Sequence, residues 1–163
     1  METDIRHEIA ALTPRLRRFA YALAGSMDEG DDLVQSACVK ALSGLDRFRP
    51  GTRLDSWMYR IVQTLWIDRA RMARRRATAP DPDAIAAASD EGLAARRPDD
   101  RLTLARVRQA VQDLPEDQRA VLVLVAIEGL SYREAAETLE IPIGTVMSRL
   151  ARARARLAPM IGD

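Results

Sequence analysis

The chain has 163 residues, 47% of them apolar and 30% charged, with a formal net charge of +1, which suits one ordinary soluble domain or two small ones. A single cysteine, Cys38, excludes an internal disulfide, and a single histidine, His7, argues against a zinc site, a metal cluster or a histidine-based triad. No apolar run approaches the roughly 20 residues that cross a bilayer, and the N-terminus METDIRHEIAALTPRLRR lacks an apolar signal core, so membrane insertion is not expected and the cytoplasm is the expected location. Charge is uneven: residues 1–80 carry 14 basic and 10 acidic side chains, 81–100 carry 2 and 6, and 101–163 carry 9 and 8. Lys40 is the only lysine. This arginine bias fits a GC-rich coding composition, and it also fits a protein that grips phosphates and guanine edges.

Helical periodicity dominates, with no convincing alternating strand. Thr13-Pro14 is read as a cap followed by proline at a first helical position, dividing an opening helix from one at about 14–24 that Gly25 ends. Leu33, Val34, Ala37 and Ala41 share one face of a second helix that stops near Gly44. The loop RFRPGTR comes next, then the longest helix, at about 55–77, with Leu54, Trp57, Met58, Ile61, Leu65 and Met72 placed to face a core. Its far end holds Arg69, Arg71, Arg74, Arg75 and Arg76. The stretch TAPDPDAIAAASDEGLAARRPDD (78–100) has three prolines and excess acid. It reads as a linker rather than a loop inside one compact unit, and such a linker buries little, so the two lobes are expected to be mutually mobile in the free protein unless a partner holds them.

A second lobe opens near Asp100. One helix runs to about Asp113 with Leu104, Val107, Val111 and Leu114 on a stripe. Pro115 opens the next, whose centre AVLVLVAI (120–127) is apolar on nearly all sides and should be heavily buried, and Gly129 closes it. SYRE (131–134) is a capping box, starting a helix to about Leu139. Pro142 then suits the first turn of another. Two helices joined by a tight turn form a helix-turn-helix. On the second, Ile143, Val146, Leu150, Ala153 and Leu157 make a buried stripe, and Thr145, Ser148, Arg149, Arg152 and Arg156 form the opposite face. That face is either ordinary solvated surface or a major-groove reader. Glutamate and lysine are absent from 144–157, so its arginines lack the usual i,i+4 partners, which favours phosphates as the missing counter-charge.

Residues 114–157, LPEDQRAVLVLVAIEGLSYREAAETLEIPIGTVMSRLARARARL, closely resemble region 4 of the extracytoplasmic-function (ECF, group 4) sigma factors of bacterial RNA polymerase, in the sigma-70 family. GDDLVQSACVKAL (30–42) resembles their region 2.2, and RLDSWMYRIVQTLWIDRARMARRR (53–76) their regions 2.3 and 2.4. The resemblance implies an all-α protein of two small helical domains joined by a flexible linker. Region 2 would span 1–79, the acidic linker 80–100, and region 4 with its helix-turn-helix 101–163. Three positions depart from the family pattern: Met147 stands where lysine or arginine is common, Glu140 at a turn position where glycine is common, and Thr64 where asparagine is usual. If residue 140 needs a positive φ, glutamate there costs about 1 kcal/mol.

The same resemblance implies a transcription initiation factor, not an enzyme, with no cofactor and no metal. Its partners would be core RNA polymerase, through the β′ clamp and the β flap, promoter DNA and a cognate anti-sigma factor. The −35 element would be read by Thr145, Ser148, Arg149 and Arg152, with Arg133 as a phosphate contact. The melted −10 strand would be taken by Trp57, Tyr59, Arg60 and Gln63 with the 47–53 loop. Trp57 has core spacing as well, and Trp66 suits either core or a partner. Asp32, Leu33 and Gln35 would dock on the β′ clamp, the aspartates here also serving as helix-start signals. The linker would thread the polymerase cleft. Two other readings remain: a sigma-like mimic that sequesters an anti-sigma factor without binding promoters, and an ordinary helix-turn-helix repressor, which leaves the first lobe without a purpose.

Overall fold

The computed structural model describes residues 2–77 and 98–161, so the expected linker lies almost wholly outside the described residues. Three helices form the first lobe: α1 (Glu2–Ala24), α2 (Met27–Ser43) and α3 (Leu54–Ala77), with a short 3-10 turn at Leu45–Arg47 between the last two. Four form the second: α4 (Pro98–Gln112), α5 (Glu116–Leu122, extended by a π-helical turn at Val123–Ile127), α6 (Tyr132–Leu139) and α7 (Ile143–Ile161). All regular structure among the described residues is helical.

The expected break at Pro14 is absent, and α1 runs straight through it. Proline removes one helical hydrogen bond and costs roughly 3 kcal/mol in a helix interior. Yet Ile9, Leu16, Phe19 and Leu23 are buried, and Ile5 and Leu12 pack against them. This stripe, at spacings of four and three, crosses the proline without interruption, and burying four such side chains outweighs the loss of one bond. Gly25, at φ +82°, ends the helix with its amide on the Tyr21 carbonyl at 2.8 Å.

Ser26 caps α2 by accepting from the Glu29 amide at 3.1 Å, and Leu33, Val34, Ala37 and Ala41 are buried as their spacing predicts. In α3 the expected stripe is only partly correct. Leu54 and Met58 are buried, while Trp57, Ile61 and Leu65 lie half-buried against the core. Met72 is 51% exposed, within a stretch, 71–77, where every residue is exposed. Tyr59, Val62 and Trp66 are buried instead. A single-stripe reading misses them because α3 is covered on two sides, by α1 and α2 and also by α6.

In the second lobe Ala110 and Leu114 are buried, but Leu104 is 38% exposed. The 120–127 run is buried only from Ala120 to Leu124; Ala126 and Ile127 face solvent. The Glu128 amide reaches back to the Val123 carbonyl at 3.0 Å. This widened turn shifts the helical register of the next residues and delivers Glu128 to the first lobe. The capping box of α6 forms as expected, with Ser131 and Glu134 exchanging bonds at 3.0 and 3.3 Å. Glu140 does adopt the left-handed conformation, φ 56° and ψ 45°, as the cap of α6. On α7, Val146, Leu150 and Ala153 are buried and Leu157 is half-buried, whereas Ile143 is 48% exposed. Ile141, in the turn, packs against the core in its place.

The two lobes meet across a shared interface. Arg119 of α5 is the deepest link. Its guanidinium donates to the carbonyls of Leu23 (2.7 Å), Leu114 (3.0 Å) and Gln112 and to the Gln112 side chain, and it lies 5.1 Å from the centre of the Trp66 ring. The Leu23 carbonyl belongs to the last turn of α1, where the helix dipole favours a cation. Gln112 adds a bond to the Ala22 carbonyl at 3.0 Å and packs so closely on Gly25 that a Cβ there would sit 2.7 Å from its side-chain carbon. Arg119→Met keeps the apolar bulk but leaves these buried carbonyls unpaired. It should lower unfolding free energy by about 2–5 kcal/mol in a urea titration.

Candidate nucleic-acid and polymerase interfaces

The helix-turn-helix presents its second helix with the buried stripe inward. Ser148, Arg152 and Arg156 are exposed and Thr145 is half-buried. The Ser148 hydroxyl donates to the Thr145 carbonyl at 3.1 Å. Arg149 lies lower on the flank and pairs with Asp117 of α5 at 3.5 Å. Arg133 lies on α6, one residue into the helix. Beside these polar groups, Ile143 and Met147 expose 48% and 52% of their surface at the start of α7.

A second candidate surface is a cleft of about 590 Å³ beside the 47–53 loop. Arg47, Phe48, Arg49, Arg53, Trp57 and Arg60 line one side, and Glu137 and Glu140 of α6 line the other. Trp57 is half-buried and tilts against Phe48, the ring centres 5.2 Å apart. Gln63 is half-buried and Thr64 exposed. Arg60 is fully engaged: Nε donates to the Thr138 carbonyl and Nη2 to the Glu137 carbonyl, both at 2.9 Å, and Nη1 lies 3.1 Å from a Glu140 carboxylate oxygen. Arg53 pairs with both Asp55 and Glu134.

Tyr59 does not line this cleft. It is 1% exposed, edge-on to Phe19 with ring centres 5.0 Å apart, and its hydroxyl donates to Glu128 at 3.0 Å. In this arrangement it cannot stack on a base. Glu128 also receives a two-pronged bond from Arg18, at 3.0 and 2.7 Å, and its own side chain has no exposed surface. Neither Glu128 nor Arg18 stands out in the sequence, because partners 110 residues apart leave no periodic signal.

On α2, Asp32 and Gln35 are exposed, and Asp32 pairs with Arg69 at 2.7 Å. Leu33 is 1% exposed and belongs to the lobe's own core, so it offers no apolar anchor to a partner. The exposed apolar groups of this face are Val39 (65%) and Leu42 (37%), which continue the Asp32–Gln35 line at spacings of four and three. Helical spacing held that signal, since both residues fall off the buried stripe.

Residues 9–76 match the family Sigma-70 region 2, and residues 104–157 match Sigma-70, region 4. The ECF RNA polymerase sigma factor EcfG of Rhodopseudomonas palustris (strain TIE-1) is 37% identical over 97% of this chain and 85% of its own length. The chain belongs to the ECF sigma factors of the sigma-70 family. The ECF sigma factor SigM of Mycobacterium tuberculosis (strain H37Rv) is 36% identical over 91% of this chain and 72% of its own. Among solved structures, the sigma factor RpoE bound to the anti-sigma factor NepR, from Bartonella quintana, superposes with a TM-score of 0.77 at 31% identity, covering 97% of this chain and 96% of that one. CnrH bound to the cytosolic domain of CnrY gives 0.72 at 28% identity, over 99% and 89%. As a sigma factor the protein acts in transcription with RNA polymerase at promoter DNA. No helix among the described residues is long and apolar enough to cross a membrane.

The Tyr59 site makes a spectroscopic prediction. Burial, then the adjacent Glu128 carboxylate, pushes the Tyr59 hydroxyl up from 10.0 to about 12. A folded pKa above the unfolded one means that the protonated hydroxyl contributes stability fully below pH 10, and that this contribution is lost as pH rises toward 12. An alkaline absorbance titration should show one of the three tyrosines ionising late, and Tyr59→Phe should remove that late step.

Proposed function

We propose that this sigma factor binds core polymerase through α2 and reads a promoter at two points, the −35 duplex with α7 and the melted −10 strand with the 47–60 cleft. The observation that carries the reading is the two-sidedness of α7. Val146, Leu150 and Ala153 lie inside, while Ser148 and Arg152 project outward from a helix whose first turn is open. A helix entering the major groove uses such short hydroxyls and long guanidinium forks on base edges, and arginine bidentate to guanine is the commonest specific contact. Exposed Ile143 and Met147 add apolar surface suited to thymine methyls. Arg133 and Arg149 would hold phosphates, Arg149 exchanging Asp117 for DNA.

At the −10 site, Trp57, Arg60 and the loop arginines combine a flat apolar surface with positive charge, as single-strand capture requires. Gln63 lies one turn further along α3. The β′ clamp is the proposed partner for Asp32 and Gln35, with Val39 and Leu42 supplying the apolar part in place of Leu33. The β flap would meet the second lobe near exposed Ile127. An anti-sigma factor is a further proposed partner, supported by the similar sigma factor RpoE solved with the anti-sigma factor NepR. The arginine face and the basic end of α3 favour promoter binding over a mimic that only sequesters an anti-sigma factor.

Run-off transcription on genomic fragments with purified core polymerase tests the reading directly. Transcripts should start at discrete sites only when this protein is added. On such a promoter, Arg152→Ala should weaken holoenzyme binding by about 1–3 kcal/mol while core affinity stays level; a parallel fall in core affinity would mean a folding defect. Asp32→Ala and Gln35→Ala should leave the melting curve within about 1 kcal/mol yet weaken core binding, and unchanged core affinity in both would remove α2 from the interface.

A further inference from the structure

The cleft beside the 47–53 loop has two walls of opposite charge with an aromatic pair between them. On one wall Arg47 and Arg49 are exposed, and neither side chain is paired with a described residue. On the other wall the Glu137 carboxylate makes no hydrogen bond or ion pair with a described residue; only its backbone carbonyl is engaged, by Arg60. Phe48 and Trp57 stand between, ring centres 5.2 Å apart and planes at 44°, and the half-buried Trp57 keeps part of its surface open. Arg53 and Arg60 leave these groups free, because they are bonded to Asp55, Glu134, Glu140 and the end of α6. The cleft encloses about 590 Å³, within the range of about 300–1,000 Å³ usual for small-ligand sites.

Each feature selects part of a ligand. Two unpaired guanidiniums suit a polyphosphate tail, whose oxygens accept their forked N–H donors. An open indole suits a planar base, since every base has a π-face to stack. A free carboxylate only accepts hydrogen bonds, so it calls for a base edge made of donors. Guanine has two adjacent donors, N1–H and the N2 amino group. Adenine and cytosine place a ring-nitrogen acceptor beside their amino group, and that lone pair would face the carboxylate. We propose that this cleft binds a free guanine nucleotide with two or more phosphates, its base stacked on Trp57 with the donor edge on Glu137, and its phosphates on Arg47 and Arg49. The proposal stands apart from strand capture by the same loop, because it uses both walls at once and a phosphate tail that no base within a strand carries. A ligand touching both lobes stabilises their contact by mass action, which gives the free factor a response to guanine-nucleotide concentration.

The test titrates the full-length protein, free of polymerase, with guanosine diphosphate, adenosine diphosphate and inorganic pyrophosphate in a calorimeter. Wild type should take up guanosine diphosphate at one site with a dissociation constant below about 1 mM, and adenosine diphosphate on the order of tenfold more weakly, the worth of one charge-assisted hydrogen bond. Saturating guanosine diphosphate should also raise the melting temperature. Glu137→Gln changes an exposed side chain whose carboxylate bonds to no described residue, so folding is preserved; it should bring guanosine diphosphate down to the level of adenosine diphosphate. Arg47→Ala with Arg49→Ala should weaken both nucleotides, and added salt should weaken both in wild type. Absence of uptake, guanosine diphosphate binding no tighter than pyrophosphate, a base preference that survives Glu137→Gln, or affinity indifferent to the two arginines would each overturn the site. Strand capture by the loop is judged separately by the transcription assay, so either reading can fail alone.

Discussion

One carboxylate, that of Glu128, sits at the junction of the two lobes with no exposed surface. Removing an ion from water costs several kcal/mol, and that cost is recovered only where its oxygens are fully bonded. Both oxygens are bonded here, to the Arg18 fork and the Tyr59 hydroxyl. Neither lobe could bury this group alone, since the carboxylate comes from one and its donors from the other. The arrangement is therefore conditional: it is stable closed, and when the lobes separate each partner returns to water at little further cost.

The rest of the interface has the same character. Arg119 answers helix-end carbonyls, Arg60 answers the end of α6, and Arg74 of α3 pairs with Glu116 of α5 at 3.1 Å. Within each lobe the packing differs. Leu16, Phe19, Leu23, Leu33 and Met58 fill the first interior, and Val121, Leu124, Val146 and Leu150 the second. Apolar burial at roughly 25 cal/mol per Å² holds these units together, whereas an interface rich in hydrogen bonds and charge pairs can exchange its partners for water or phosphate.

The surfaces proposed for partners differ in how far the contact between the lobes engages them. Ser148 and Arg152 stay outward, and Val39 and Leu42 remain uncovered on α2. Arg53 and Arg60 are held by Glu134 and Glu140. Glu140 joins two constraints here. It caps α6 in a left-handed conformation that glycine would adopt more readily, and its carboxylate reaches Arg60. Glycine would relieve the backbone strain and lose the contact, which gives a physical reason for the departure from the family pattern.

Much of the fold was legible in the sequence because its signals are local. The capping box at Ser131, the α2 stripe from Leu33 to Ala41, the helix-turn-helix and its outward Ser148 and Arg152 need only a periodicity and a cap to be read. Tertiary structure decided what depends on neighbours. It carried α1 through Pro14, covered a second side of α3 so that Tyr59 and Trp66 went inside, and left Ile143 out where Ile141 took the inner place. It also turned Leu33 from an expected anchor into core and set α6 on Arg60. A sequence states which faces of a helix can be buried; which of them are buried depends on what arrives from 69 or 110 residues away, the distances that the bonds from Tyr59 and Arg18 to Glu128 span.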